Sequence, residues 1–307
     1  MEEFVSLVTN ENIQKAVSSI FGMLFPYAGI KKLAVDMYVD EIKKSNLHLE
    51  IKEGLLLNAK DFIKKIKNRK DIADKALAFA KEGTNFGESS GVSEEWLERF
   101  MDSAGFVSEE ELQLIWAKVL SKEFEKPGST PPSVIRILSE ITPKYAQAFQ
   151  KICSMRRTLV VVDSNGDAFI EKDDIMIPYD DNNKIQLASM GLSFETLHEL
   201  DTIGLIKFQS SGVFRYGLPE TGIFTYINGV TKEIAEYRKD DFPAGSALLT
   251  SAGKCLEKII QPEVIPNYES MEKQYMLGKC VTFKESPEYN ISENDDGTIS
   301  VEKISKT

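Results

Sequence analysis

"RTLVVVDSNGDAFIEKDD", residues 157–174, is where the chain changes character. Upstream of it, apolar residues recur every three or four positions, as on the face of a helix. From here they gather in short runs cut by turn residues. Two readings compete for the stretch. Asp163, Asn165 and Asp167 fill the first, third and fifth positions of a calcium-loop pattern, Ile170 the eighth and Asp174 the twelfth. Ala168, however, stands at the sixth position, where that loop wants glycine, and Asp174 is one methylene shorter than the usual glutamate. The other reading is a β-hairpin. Asn165-Gly166 sits between apolar runs, and both residues tolerate the positive φ of a type I′ turn. The expectation is a hairpin from Thr158 to Glu171, with calcium binding as the alternative.

Working back from this point, the chain reads as helices. "IFGMLFPYAGI", residues 20–30, is its most apolar stretch. It is shorter than the roughly 20 residues that a bilayer-spanning helix needs, and Pro26 interrupts it. Phe21 and Phe25 within it are read as residues of a self-association surface, since a lone helix pair would leave them exposed. Ile30, Leu33, Met37 and Ile42 form one stripe, and Leu55, Phe62, Ile66, Ala73 and Leu77 a second. Lys60, Lys64, Lys65, Lys67, Arg69 and Lys70 make a basic cluster, either a solvated face or a docking patch for something acidic. "GTNFGESSG", residues 83–91, has the composition of a linker. Ser93 is expected to cap one helix, and Ser108 with Glu111 to form a capping box before the next. On that next helix Leu112, Trp116 and Val119 line up, with Trp116 as core anchor. Glu123 continues the same line, so it needs a partner that offsets its lost hydration. Arg136, Arg156 and Arg157 are the candidates. A structural ion pair and a functional acid both remain open. Thr142-Pro143 then starts another helix.

Downstream, "DIMIPY" is a candidate third strand, and "KIQLASM" and "SFETLHELDTI" are helical. "GLIKFQSSGVFRYGL" and "GIFTYINGVTKEIAEY" read as two hairpins turning at Ser211-Gly212 and Asn228-Gly229. "ALLT" is a short strand and "SAGKCLEKII" a closing helix. The final residues are acidic and polar and are expected to form a mobile tail.

The whole chain has 307 residues, with 37 Lys and Arg against 48 Asp and Glu, a net charge of -11. That balance argues against general affinity for nucleic acid or anionic lipid. The helix from Ser193 carries Glu195, Glu199 and Asp201 and no basic residue before Lys207, which argues against reading DNA. Cys153, Cys255 and Cys280 are far apart and have only His48 and His198 to join them, so neither a disulfide framework nor a zinc pattern is present. A reducing, cytoplasmic setting is the expectation. Neither histidine has an activating neighbour in sequence, and no nucleophile-elbow, P-loop or zinc-protease motif occurs.

Trp116, Ala117, Lys118, Leu120, Glu123, Pro127, Gly128 and Ser129, followed by Ala146 and Phe149, spell W-A-K-x-L…E…P-G-S and then A-x-x-F. This resembles the mark of an uncharacterised bacterial family. Leu197, Leu200, Gly204, Leu205 and Ile206, then Leu249, Thr250, Gly253 and Lys254, are more distantly similar to the abortive-infection alpha family. The resemblance covers roughly residues 91–260. It implies a bacterial protein linked to phage defence or mobile elements, and it supplies no catalytic residues.

The reading is therefore α+β. It has an N-terminal helical region 1–82, a linker 83–91, a central helical block 92–156, a winged-helix-like part with antiparallel hairpins 157–262, and a C-terminal extension 263–307. The expected function is a non-enzymatic interaction or regulatory protein acting through protein partners or self-association, in the setting of antiviral defence. The alternatives are a membrane-perturbing effector using the apolar N-terminal helices, and an enzyme whose site the sequence does not display. No catalytic residue, cofactor or metal is assigned.

Overall fold

In the computed structural model, residues 22–27, 32–82, 91–163, 165, 168–178, 184–218, 222–227, 230–285, 289–294 and 299–304 are described. The fold is α+β, helical at the N-terminal side with antiparallel strands and hairpins following. Two compact units divide the chain, Met1–Ser139 and Glu140–Thr307.

The first unit is helical. α1 (Lys32–Lys44) packs on α2 (Leu49–Glu82), whose C-terminal half lies against α3 (Glu94–Ala104) and α4 (Glu110–Glu125). α5 (Pro132–Glu140) follows. Ser93 caps α3 as expected, its hydroxyl accepting from the Trp96 amide. The capping box at Ser108 does not form. Glu109 is the cap residue and makes no side-chain cap bond. Glu110 and Glu111 instead place negative charge against the positive end of the helix. Trp116 is fully buried, its ring 4.9 Å from Phe100, which in turn stacks on Trp96. Asn68 and Arg69 of α2 donate to the Gly105 and Met101 carbonyls, satisfying groups at the end of α3.

The second unit opens with α6 (Pro143–Cys153), its proline at the first turn as the sequence implies. β1 (Arg156–Val162) and β2 (Ala168–Ile175) pair antiparallel, with a bulge between Leu159 and Val160. The expected hairpin is thus present. Gly166 of its turn lies outside the described residues, as do the turn residues Asn228-Gly229. β1 is an interior strand of a five-stranded antiparallel sheet with β5 (Gly222–Ile227), β6 (Val230–Glu236) and β9 (Thr282–Phe283), in the order β2-β1-β5-β6-β9. Alternation along β1 sends Leu159 and Val161 into one core and Val160 and Val162 into another.

Two expectations are corrected here. "DIMIPY" is not a third strand. β2 ends at Ile175, and the Met176 and Ile177 backbone groups bond to Met155, Tyr268 and Ser246. "GLIKFQSSGVFRYGL" is not a hairpin. Its pieces β3 (Ile206–Phe208) and β4 (Phe214–Tyr216) pair with β8 (Ala247–Leu249) and β7 (Phe242–Gly245). The buried Leu205 and Ile206 take their cover from the later strand. The C-terminal extension from residue 263 carries regular structure. α10 (Tyr268–Gly278) sends Tyr275 and Met276 into the first core. β10 (Tyr289–Glu293) and β11 (Ile299–Lys303) form a hairpin that covers the second core with Ile291.

Between β2 and β3, α7 (Lys184–Ser189) and α8 (Phe194–Ile203) follow, and α8 packs on α6. α8 ends at Gly204, whose φ of 95° is left-handed and steers the chain into β3. α9 (Ser251–Glu257) begins at Thr250. Here the two halves of the more distant sequence motif meet. Ile206 pairs with Leu249, the Thr250 hydroxyl donates to the Gly204 carbonyl at 2.6 Å and accepts from the Gly253 amide at 3.0 Å. A Cβ on Gly253 would collide with the Leu205 carbonyl, so glycine is required there by close approach. These motif residues make a folding joint.

Candidate functional site

α4 ends in "EFEKPGST", and its last turn carries Glu123, 2% exposed. One carboxylate oxygen accepts from the Gly128 amide at 2.5 Å and the other from the Thr130 amide at 2.9 Å. The chain can return to meet the carboxylate because Gly128 adopts a φ of 80°. No lysine or arginine among the described residues pairs with Glu123. Of the three expected partners, Arg156 is bidentate to Asp173 at 2.9 Å, Arg157 faces Glu272, and Arg136 makes no bond to Glu123. Two backbone amides stand where an ion pair was expected.

Glu123, Gly128 and Thr130 line a cleft of about 300 Å³ in the first unit. Trp96, Pro131, Pro132 and Ile135 supply its apolar walls, and Arg99, paired with the exposed Glu95, stands at its rim. The buried Thr130 hydroxyl and Trp96 indole nitrogen find no hydrogen-bond partner among the described residues.

A second buried carboxylate lies in the second unit. Glu272 of α10 is 0% exposed, 3.8 Å from the Arg157 guanidinium and 3.4 Å from the Lys232 ammonium. Arg157 also donates to the Pro243 carbonyl and stacks over Phe242. Burial raises the Glu272 carboxyl, and the Arg157 and Lys232 charges pull it back. This cluster was not read from the sequence. Its signal is the one used for Glu123: Glu272 continues an apolar stripe through Tyr268, Tyr275 and Met276 at steps of four, three and one.

The calcium-pattern residues are spread apart. Asp163 turns back to accept from the Asn165 amide at 2.8 Å, and Asp167 lies outside the described residues. Asp174 stands opposite Arg157, five pairs down the ladder from Val162, which is roughly 17 Å at a strand's rise. Its carboxylate accepts from the Leu249 amide and faces Lys254. Asp174 therefore belongs to a different cleft of about 420 Å³. There Arg156, Lys172, Lys254 and Lys258 equal Glu171, Asp173, Asp174 and Glu257 in number, and contacts between the two sets dominate. Burial and Asp174 push the Tyr216 hydroxyl in this cleft up to about 12, so it stays protonated near neutrality. His198 lies edge-on to Phe194 and Phe208, an aromatic setting that provides no activating group. Among the described residues, no group of three or more His, Cys, Asp or Glu side chains is arranged to hold a metal ion.

Phe21 lies outside the described residues, and Phe25 is 52% exposed. Phe25 is not alone. Met37, Tyr38, Leu47, Leu49, Ile51, Leu57 and Phe62 are exposed as well, all in α1, the N-terminal half of α2 and the segment joining them. On α2 the buried stripe runs through Ala59 and Ile66. Ile51 and Phe62 flank it on one side, while Leu57 stands well round the other, so α1 covers only part of the apolar surface. Lys60, Lys64 and Lys67 of the basic cluster are exposed, whereas Arg69 bonds to Asp102 and Lys70 to Asp74. No helix among the described residues is long and apolar enough to cross a membrane.

No curated protein and no solved structure matches the chain. A family match covers residues 59–271, from the middle of α2 to the first turn of α10, and takes in both the Glu123 cleft and the joint at Gly204. Spanning more than half of the 307 residues, it shows that the chain belongs to the family described as protein of unknown function (DUF2806).

Proposed function

We propose that the protein is a non-enzymatic interaction protein that docks through its N-terminal helical arm onto a second copy of itself. The observation that carries this reading is the run of eight large apolar side chains, Phe25 to Phe62, left exposed on one arm. Patches of this kind mark interfaces, and a two-fold pairing lets the same arm serve both partners. Charge favours a like partner. From Lys32 to Phe62 there are five Lys against six Asp and Glu, a net of -1, while the whole chain carries -11. Two arms meet without the repulsion that two whole surfaces would have. The setting in antiviral defence rests on the resemblance at Leu197–Ile206 and Leu249–Lys254.

Light scattering on the purified protein at micromolar concentration tests the docking. A dimer is expected, with Leu57→Glu and Phe62→Glu together giving a monomer, since both residues are exposed. A monomeric wild type would sink the reading. Leakage of anionic liposomes would replace it with the membrane-perturbing alternative. Plating of phage on a bacterial host with and without the gene tests the defence setting, and equal plating would remove it.

A further inference from the structure

The basic cluster on α2 is only half engaged in the folded chain. Lys65 lies over the Phe106 ring, Arg69 bonds to Asp102 and Lys70 to Asp74. Lys60, Lys64 and Lys67 are exposed and make no ion pair among the described residues. Glu50 and Glu53, earlier on the same helix, are exposed and unpaired in the same sense. At about 3.6 residues per turn, these five and Leu57 fall within roughly a third of the helix circumference. They lie on the side turned away from the buried Ala59 and Ile66. The face is therefore sorted along its length into acid, then Leu57, which is 62% exposed, then base. Glu50 and Glu53 give the acidic end -2, and three Lys less the adjacent Asp61 give the basic end +2. Lys52 turns elsewhere, donating to the Lys43 carbonyl.

The helix does not cancel these charges itself. Pairs close within a helix at spacings of three or four. Three and four positions on from Glu50 and Glu53 stand Glu53, Gly54, Leu56 and Leu57, none of them basic. A helix sorted in this way complements its own reverse. Glu50 and Glu53 are three apart, and so are Lys64 and Lys67. A second α2 laid antiparallel, with its residue 64 against residue 53, brings the acidic pair of each copy onto the basic pair of the other. Leu57 then meets the aliphatic stem of the opposing Lys60. A parallel pair would set acid on acid and base on base.

We propose, resting on the self-association proposed above, that the Lys60–Lys67 face is the docking site for the Glu50–Glu53 end of the same helix in a second copy, the two α2 helices running antiparallel.

Disulfide trapping on the full chain tests this, in a Cys280→Ser background that removes the exposed cysteine. Chains carrying Glu53→Cys and chains carrying Lys64→Cys are oxidised alone and mixed. The mixture should form a disulfide between positions 53 and 64, and neither chain alone should link to itself. In the antiparallel pair, like positions stand about 16 Å apart along the axis, beyond the roughly 7 Å between Cα atoms that a disulfide spans. At about 0.15 M salt, where distant charges are screened, Lys64→Glu with Lys67→Glu should raise the dissociation constant of the dimer about tenfold or more. Adding Glu50→Lys and Glu53→Lys to the same chain should restore it to within roughly threefold. In a parallel pair like already faces like, and the first reversal would leave the affinity unchanged. A wild-type dimer that links 53 to 53 or 64 to 64, that traps no link between 53 and 64, or that ignores the reversal overturns the docking mode and leaves self-association standing. A wild type that is monomeric by light scattering overturns both.

Discussion

The end of α4 and the face of α10 meet the same difficulty, a glutamate carried into the interior, and resolve it differently. Glu123 is held by two backbone amides five and seven residues ahead of it. Glu272 is held by Arg157 and Lys232, on strands far away in sequence. The first solution is local and stiff, a loop shaped around a carboxylate. The second exists only once the sheet and α10 have come together. One carboxylate organises its neighbourhood, whereas the other depends on its neighbourhood being complete.

That contrast can be broken most forcefully at Arg157. Arg157→Leu removes the cation and leaves Glu272 with Lys232 alone, which should cost about 3–5 kcal/mol, as expected for a buried pair robbed of one member. Urea denaturation at neutral pH measures it, and a loss below about 1 kcal/mol would mean that the pair contributes little. Glu123→Ala should cost less, about 1–3 kcal/mol, since it strands two amides that water can reach once the loop loosens. Proteolysis should then speed up between Lys126 and Pro131 if the carboxylate shapes that loop.

The smallest effect is a slope. Burial holds the Glu272 carboxyl above its usual 4.5. The folded protein keeps a proton there that the unfolded chain releases, so this group's contribution to stability is complete at low pH. It falls as pH rises from about 4.5 through the folded value. Glu272→Gln removes the titration. Its stability relative to wild type should therefore improve as pH rises, and a flat difference across that range would contradict the assignment.

The same contrast explains what could be read from the chain. Ser93, Thr142-Pro143 and the β1–β2 hairpin were legible because cap, proline and turn act within a few residues. The burial of Trp116 was legible from helical spacing. The position of Glu123 on the buried stripe was legible too, but its partners were not, because backbone amides leave no mark in the alphabet of side chains. The pairings of β3 with β8 and β4 with β7 were missed since strands of three residues carry no register of their own. Arg157 and Glu272 stand 115 positions apart, and no local pattern links them. Trp96 and Thr130 entered the cleft only through the return of the chain at Gly128.

β1 and the residues that finish its core are also separated in time. Leu159 and Val161 pack with Tyr275, Met276 and Val281, which the ribosome adds 114 or more positions after Val161. At about 5–20 residues per second, the 115 residues between Arg157 and Glu272 take roughly 6–23 s to make. Throughout that interval "TLVVV" is an apolar strand without its full cover, the kind of segment that aggregates or is held by a chaperone. The first unit, whose helices neighbour one another along the chain, can be folded before α10 is synthesised. The matched family segment stops at residue 271, one position short of Glu272, so the second unit's core closes with residues that lie past that match.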